Sequence, residues 1–299
     1  MTDKQTVAQQ IIAWSKAVFT PVALACIVYF FWTNRDVLLS IYSQGSPGNF
    51  SLVIVCWVAL HFLSPLFTCL AMQSMGVAIS YRLALKAHIS RLPAKYLPGG
   101  VWHSVARAAD YRVIGIGPRL IVGYLVLENT VLVATTLGIG GVFAILASSS
   151  RPADIVIGAI MVACWLFILL LPRLSRLNLM PGNTLSGAVY FRGVLVIAAY
   201  WCLAGASFAV FVLAFPDLQI STSPLVVGGV YLFSWGVGYL AVFAPQGLGV
   251  SELVSGLLLG SQIELGSMII ILLGFRLLMA VADIVTWFTY IMLSRRMRK

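Results

Sequence analysis

Long apolar runs separated by short polar connections make up most of this chain. A helix that crosses a bilayer core needs roughly 20 consecutive apolar residues, so each long run predicts a transmembrane helix. The long runs cover residues 17–34, 50–75, 119–147, 153–172, 193–215, 224–244 and 267–293. Residues 247–262 form a shorter run, and residues 76–118 are strongly basic. The pattern predicts an all-α, polytopic membrane helix bundle of about eight transmembrane segments.

Lysine and arginine residues are concentrated in alternate connections between these runs. They occur at Lys4 and Lys16, throughout residues 76–118, at residues 173–192 and at residues 295–299. Because basic residues favour the cytoplasmic side of a membrane, both termini are predicted to be cytoplasmic, which requires an even number of crossings. Eight crossings result if the basic 76–118 segment returns to its own side.

The run 247–262 is the weak point of this count. At about 1.5 Å per residue it is too short for a full crossing, so it is either a short crossing or half of a broken hairpin. The whole chain is expected to form one membrane domain, 1–299, with halves 1–147 and 148–299. No polar stretch is long enough to form a soluble core of its own.

Composition agrees with a protein dissolved in lipid. Apolar residues make up 61% of the chain and charged residues 9%, with a mean hydropathy of +0.99. The net charge of +10 would suggest nucleic acid in a soluble protein. Here the basic residues flank apolar runs, where they indicate topology and contact with anionic lipid, and no nucleic-acid partner is expected. The cysteines lie inside apolar runs without a CxxC motif, so no metal site is predicted.

Two segments break the rules for membrane helices, one in each half of the chain. Residues 92–107 and 244–252 each combine Pro and Gly with a short helical stretch. Irregular backbone at membrane depth survives only where protein or a watery cavity satisfies its polar groups, and paired breaks indicate a transporter-like central site. The candidate binding residues are Lys95, Gly99, Gly100, Trp102, His103 and Arg107 in the first break, and Gly247, Gly249 and Glu252 in the second.

These residues suit an anion. A helix that begins after Gly100 or Gly249 presents unpaired N–H groups and the positive end of its dipole. His103 and Arg107 are four residues apart, on one helix face, and an arginine fork can hold a phosphate through two hydrogen bonds. The hypothesis is a lipid-phosphate site. The alternative is that both breaks are architectural, with Trp and basic residues acting as interfacial anchors, as Arg82 and Lys86, one turn apart, are expected to do.

Three charges fall inside apolar runs: Arg276, Asp283 and Glu128. One hypothesis is that Arg276 joins Arg107 in binding phosphate while Glu252 orients one of them. The alternative is a structural pair of Arg276 with Asp283 or with Glu252. Glu128 and Asp283 are candidates for coupling protons or for structural charges, and for Glu128 a hydrogen-bonded packing role is favoured.

Histidines outside the breaks have simpler interpretations. His61 follows an apolar stretch and is expected to be a satisfied interior histidine, whereas His88 is expected at the interface. Glycines at 228, 229, 236 and 238 are expected to let neighbouring helices approach closely.

The two breaks resemble a known family. Lys95-Tyr96-Leu97-Pro98-Gly99-Gly100-Val101-Trp102-His103 with Arg107, and Pro245-x-Gly247-Leu248-Gly249-Val250-x-Glu252, are similar to the transmembrane domain of the lysylphosphatidylglycerol synthase/flippase family. Arg276 in Phe275-Arg276-Leu277-Leu278 looks like the arginine of that family's last conserved helix. Ser251 stands where the family often has a basic residue, which bears on whether the second break contacts an anion directly.

The resemblance implies a stand-alone flippase-like member in a bacterial or archaeal cytoplasmic membrane. The expected function is movement of an anionic phospholipid or a polyprenyl-phosphate-linked glycolipid, with no cofactor, no catalytic residue and no aminoacyl-transferase domain. Expected partners are membrane lipid and either a second copy of the chain or glycan-assembly proteins. Two alternatives remain: an intramembrane glycosyl- or phosphotransferase, in which Glu252 and His103 act together if the breaks meet, and a scaffold for surface-glycan assembly.

Overall fold

The computed structural model describes residues 45–96, 102–148, 150–177, 184–215, 221–241, 247, 249–260, 263 and 265–296, with isolated positions between 28 and 43. The described helices are α1 (Pro47–Ser74), α2 (Tyr81–Ser90), a 3-10 helix (Leu92–Tyr96), α3 (Trp102–Val113), α4 (Pro118–Ala147), α5 (Arg151–Ser175), α6 (Gly187–Val212), α7 (Pro224–Leu240), α8 (Val250–Leu259) and α9 (Leu265–Arg296). Within these ranges there is no strand, so the all-α prediction is confirmed.

Five of the helices are long and apolar enough to cross a membrane. They are α1, α4, α5 and α6, together with residues 266–294 of α9, and the shortest has 25 residues. At 1.5 Å per residue that length exceeds the roughly 30 Å apolar core of a bilayer. The chain is therefore a multi-pass membrane protein. The first predicted segment, 17–34, lies mostly outside the described residues.

Two apolar helices of the second half are shorter. Helix α7 has 17 residues and α8 has 10. The predicted segment 224–244 therefore contains a helix that ends at Leu240, and the 247–262 run contains a helix of only about 15 Å. That length is about half of the bilayer core, which fits one arm of a broken hairpin better than a complete crossing.

Close helix contacts in the centre of the bundle depend on glycine. A Cβ added to Gly228 of α7 would lie 2.4 Å from the carbonyl oxygen of Gly205 in α6. A Cβ added to Gly140 of α4 would lie 2.4 Å from the backbone nitrogen of Phe233 in α7. Side chains larger than hydrogen would separate these helices, so the glycines set the spacing of α4, α6 and α7.

The basic segment 76–118 contains two short α-helices, α2 and α3, with the 3-10 helix between them. Helix α2 packs against α1 and α3 packs against α4, and each is too short, at 10 and 12 residues, to cross a bilayer. Arg91, which follows α2, forms two hydrogen bonds of 2.7 and 2.6 Å with the carboxylate of Asp110 in α3. The pair ties the end of α2 to α3.

Candidate functional site

A polar stripe runs along one face of the otherwise apolar helix α1. Trp57, His61, Ser64 and Thr68 follow one another at intervals of four, three and four residues, which places them on one face of an α-helix. Each forms a side-chain hydrogen bond with another helix. His61 lies at the centre of this spanning helix, so the stripe brings polar contacts to the middle of a membrane span.

Asp283 of α9 accepts four hydrogen bonds at the centre of this cluster. Its Oδ1 atom accepts from Trp57 Nε1 at 3.0 Å and from His61 Nε2 at 2.8 Å. Its Oδ2 atom accepts from Lys95 Nζ at 2.7 Å and from the Tyr96 hydroxyl at 2.9 Å. The Asp283 side chain is 1% exposed, so the positive charge of Lys95 compensates a buried carboxylate. The first break thus contacts a residue within the membrane-spanning part of α9.

The histidines continue the cluster away from Asp283. Nδ1 of His61 lies 3.2 Å from Nε2 of His88, and Nδ1 of His88 lies 3.4 Å from the Ser64 hydroxyl. His103 of α3 lies on the other side of His88 and donates from Nε2 to its backbone carbonyl over 3.3 Å. Burial lowers the pKa of His88 well below its usual range, and neighbouring histidines and basic side chains lower this pKa further. His88 is therefore neutral at physiological pH.

A second buried ion pair lies beside the histidines. Arg107 of α3 donates to both carboxylate oxygens of Glu128 in α4, at 2.9 and 2.6 Å, and each residue is 3% exposed. The Tyr124 hydroxyl donates to Glu128 at 2.6 Å and lies 3.0 Å from the hydroxyl of Thr68. Within the described part of the chain, only Nε of the guanidinium has no hydrogen-bond partner. In this structure the two Nη groups of Arg107, which the sequence assigns to phosphate, are bound to Glu128.

The second break contains a smaller network. Glu252 lies 3.2 Å from Nη2 of Arg276 through Oε1, and its Oε2 accepts the backbone N–H of Gly249 at 2.8 Å. Arg276 Nη2 also donates to the Ser251 hydroxyl at 2.6 Å, and this hydroxyl donates to the carbonyl of Gly247 at 3.1 Å. Nη1 of Arg276 is buried without a hydrogen-bond partner among the described residues. A carboxylate of the chain thus occupies the anion position at the start of α8.

The glycines of the second break have different local requirements. Gly247 has φ +70°, and a Cβ there would lie 2.7 Å from the backbone of Gly238 in α7. Gly249 has φ +85° at the start of α8, but a Cβ there would meet nothing within 4 Å. Gly247 is therefore required by its φ and by the close approach of α7, and Gly249 by its φ alone.

The two breaks carry the same kind of pair with the charges exchanged. At the first break the short helix α3 supplies Arg107 and the following long helix α4 supplies Glu128. At the second break the short helix α8 supplies Glu252 and the following long helix α9 supplies Arg276. Each pair anchors a short helix to a spanning helix, and each is close to neutral as a unit.

The described contacts of the predicted site residues do not join the two breaks into one cluster. Lys95 contacts Asp283, and His103 contacts His88, whereas Arg107 pairs with Glu128. Trp102 is 41% exposed at the start of α3. Gly99 and Gly100 lie outside the described residues.

Of the alternatives for the charged residues, the structure contains the Arg276–Glu252 pair. The Glu252 and His103 contacts described above lie in separate networks, so they do not bring the two breaks together. The expectation that His61 is a satisfied interior histidine is confirmed. His88 is only 7% exposed because α2 packs against α1, whereas its expected position at the membrane interface stays a prediction.

Several site residues have no counterpart in the sequence prediction. Tyr96 and Tyr124 complete the coordination of the two buried carboxylates, and Ser251 links Arg276 to the backbone of the second break. The spacing of Trp57, Ser64 and their neighbours on α1 is the signal that identifies the stripe, because polar residues recur there with helical period inside an apolar run. Across the part of the chain that the structure describes, no group of three or more His, Cys, Asp or Glu is placed to hold a metal ion.

No protein-family model and no curated protein matches this chain. The resemblance to the lysylphosphatidylglycerol synthase/flippase family therefore stays a prediction that rests on the two break motifs and Arg276.

Proposed function

We propose that this protein moves an anionic lipid across the membrane, with the headgroup bound beside the first break. The observation that carries the proposal is the contact between Lys95 and Asp283. A lysine from the 3-10 helix of the first break meets a carboxylate well inside the membrane-spanning part of α9, and a third of the lysine side chain is exposed. A cation that is partly accessible at such a depth is suited to an anionic headgroup.

The energetic cost of these charges supports a role beyond packing. A charged side chain near the centre of a membrane helix costs about 2.5–3.5 kcal/mol on insertion scales, so such residues are functional sites by default. Three ion pairs lie at the two breaks: Lys95–Asp283, Arg107–Glu128 and Arg276–Glu252. In each pair a carboxylate of the protein takes the position that a phosphate oxygen would take beside a cation.

The lipid class follows from the family resemblance and belongs to this proposal. A phospholipid or a polyprenyl-phosphate-linked sugar carries the phosphate that these cations suit, while its tails remain in the bilayer. The same resemblance supports a bacterial or archaeal cytoplasmic membrane, and the alternation of lysine and arginine between the apolar runs supports cytoplasmic termini. A transferase would need Glu252 and His103 to act together, and their separate contacts give that alternative no support.

Transport between leaflets of reconstituted liposomes tests the proposal. Fluorescent phosphatidylglycerol and a fluorescent polyprenyl phosphate are followed by chemical quenching of the outer leaflet, for the wild type, Lys95→Gln and Lys86→Gln. Lys86 is an exposed lysine of the neighbouring helix α2 and serves as the matched control. We expect wild type and Lys86→Gln to accelerate movement of one of the lipids and Lys95→Gln to lose that acceleration. Folded wild-type protein that accelerates neither lipid would refute the proposal.

A further inference from the structure

All three histidines of the chain lie together at one place in the membrane domain. The sequence contains His61, His88 and His103 and no others. The ring centroids of His61 and His88 are 5.4 Å apart, and those of His88 and His103 are 5.2 Å apart. Asp283, His61, His88 and Ser64 form a continuous line of hydrogen bonds at 2.8, 3.2 and 3.4 Å. The line begins at a buried carboxylate and ends at the hydroxyl of Ser64, which is a partly exposed residue.

The partners determine which ring nitrogens carry protons. Nε2 of His61 faces the Asp283 carboxylate and must donate, so the Nδ1 atom of a neutral His61 accepts from Nε2 of His88. Nδ1 of His88 is then an acceptor, and it accepts a hydrogen bond from the Ser64 hydroxyl. The Nε2 atom of His103 faces a carbonyl and must also donate. With neutral rings, these partners place the proton of every ring on Nε2.

The charges around this line balance when the histidines are neutral. Lys95 of the 3-10 helix is compensated by Asp283 of α9, and Arg107 of α3 is compensated by Glu128 of α4. Among the described residues, the other titratable groups around the line and its ion pairs are His103 of α3 and the hydroxyls of Tyr96, Tyr111 and Tyr124, which are neutral at physiological pH. One additional proton therefore gives the cluster a net charge of +1.

We propose that this line takes up one proton together with each anionic headgroup, so that lipid movement is coupled to a pH gradient. The proton arrives at Nδ1 of His88 from the Ser64 side. The proton on Nε2 of His88 passes to Nδ1 of His61, which becomes an imidazolium beside the Asp283 carboxylate. His88 remains neutral, now protonated on Nδ1 and donating to Ser64. One proton has entered and no other bond has changed.

The additional charge creates the requirement for an anion. Lys95 and the His61 imidazolium then share Asp283, and a buried net charge of +1 is costly until a monoanionic phosphate neutralises it. Proton and phosphate stabilise each other's binding by this charge balance. The inference rests on the proposed lipid movement, and it adds an energy source: one proton and one monoanionic lipid cross together without net charge.

Electroneutral coupling has a distinct signature in liposomes. Labelled phosphatidylglycerol should accumulate roughly tenfold, per pH unit of imposed gradient, in the leaflet facing the alkaline side. A potassium diffusion potential set with valinomycin at equal pH should have no effect. His88→Gln should abolish the response to the pH gradient. Thr286→Val should keep it, because Thr286 is a buried hydroxyl of α9 that donates to the carbonyl of Ala282 and stands outside the line.

The outcomes separate the two proposals. Lipid movement that ignores the pH gradient, or that responds equally in His88→Gln, overturns the coupling and leaves lipid movement standing. No lipid movement in any vesicle overturns the proposed function and the coupling with it. Nitrogen NMR of the ¹⁵N-histidine-labelled wild type does not depend on any variant folding. It should show only Nε2–H tautomers at neutral pH, and a neutral ring protonated on Nδ1 would overturn the relay.

Discussion

The buried pair of Arg107 and Glu128 offers the sharpest test of how the first break is held. Both residues are 3% exposed, and two charge-assisted hydrogen bonds join them. Removing one partner of a buried pair leaves an uncompensated charge, which costs about 3–5 kcal/mol. We therefore expect Glu128→Leu and Arg107→Met each to lower the free energy of unfolding by about that amount.

The double substitution is expected to be much milder than the sum. With both charges replaced by apolar side chains of similar volume, no unpaired ion remains, and such replacements are close to neutral. Tyr124 loses its acceptor but keeps the Thr68 hydroxyl at 3.0 Å, so about 1 kcal/mol is the expected loss. With single losses of about 3–5 kcal/mol each, the coupling energy between the two substitutions should therefore be at least about 5 kcal/mol.

Reversible unfolding in mixed micelles, with a denaturing detergent as titrant, measures these free energies. The pair Arg91–Asp110 provides a control, because it is also joined by two hydrogen bonds, from Nε and Nη2, but between side chains that are 21% and 23% exposed. Its coupling energy should be roughly 1 kcal/mol, since solvent screens partly exposed pairs. Additive losses for Arg107 and Glu128, to within about 0.5 kcal/mol, would refute the interpretation that each charge exists to satisfy the other.

Further expectations concern the second break and the histidines. Gly247→Ala should destabilise the protein much more than Gly249→Ala. Both glycines have positive φ, but only a Cβ at Gly247 would meet backbone atoms, 2.7 Å away in Gly238. Thermal denaturation of the two variants compares their losses of stability, and equal losses would contradict this prediction. Burial lowers the pKa of His88 below 6.5 in the folded protein. As the pH falls, the unfolded chain therefore binds a proton at this histidine before the folded protein does. Stability should therefore be complete above pH 6.5 and fall below it, and His88→Gln should flatten the fall in unfolding measured against pH. Asp283→Asn removes the carboxylate that accepts from four side chains, and because Lys95 is one-third exposed the loss should be about 1–3 kcal/mol in the same assay. A loss below about 1 kcal/mol would contradict the described contacts.

The spanning helices could be predicted from hydropathy because the bilayer fixes their length and composition. The run 119–147 became α4, which starts one residue earlier and ends at the same residue, and 50–75 became α1, shifted by a few residues. The glycine expectation also holds where the structure tests it, since Gly228 meets the backbone of Gly205. Helix ends without a composition change were harder to place: α7 ends at Leu240 although the apolar run continues to 244.

Helix geometry alone could exclude one of the predicted partners of Arg276. Arg276 and Asp283 are seven residues apart on one helix, which separates them by about 10.5 Å along the axis, so a direct pair within α9 was unfavourable from the start. The choice of Glu252 for Arg276, and of Glu128 for Arg107, depends on how separate helices pack. Nothing local in the sequence specifies that packing.

The polar stripe of α1 was missed for a different reason. Each residue in it is unremarkable alone, and an isolated histidine in an apolar run is usually a satisfied packing residue. The information lies in the regular spacing of His61 with Trp57, Ser64 and Thr68. A hydropathy average over a window does not detect such a stripe, because the surrounding apolar residues dominate the mean. A search for polar residues spaced three or four positions apart does detect it.

Helix α9 connects the two breaks physically. Arg276 and Asp283 lie on nearly the same face of one long helix, because seven residues make about two turns. Asp283 holds Lys95 and His61 beside the first break, while Arg276 holds Glu252 and Ser251 at the second. Energetic coupling between distant sites needs an element whose position both sites bias. A change of protonation at His61 acts on Asp283, and any resulting displacement of α9 must also act on the Arg276 contacts that hold the start of α8.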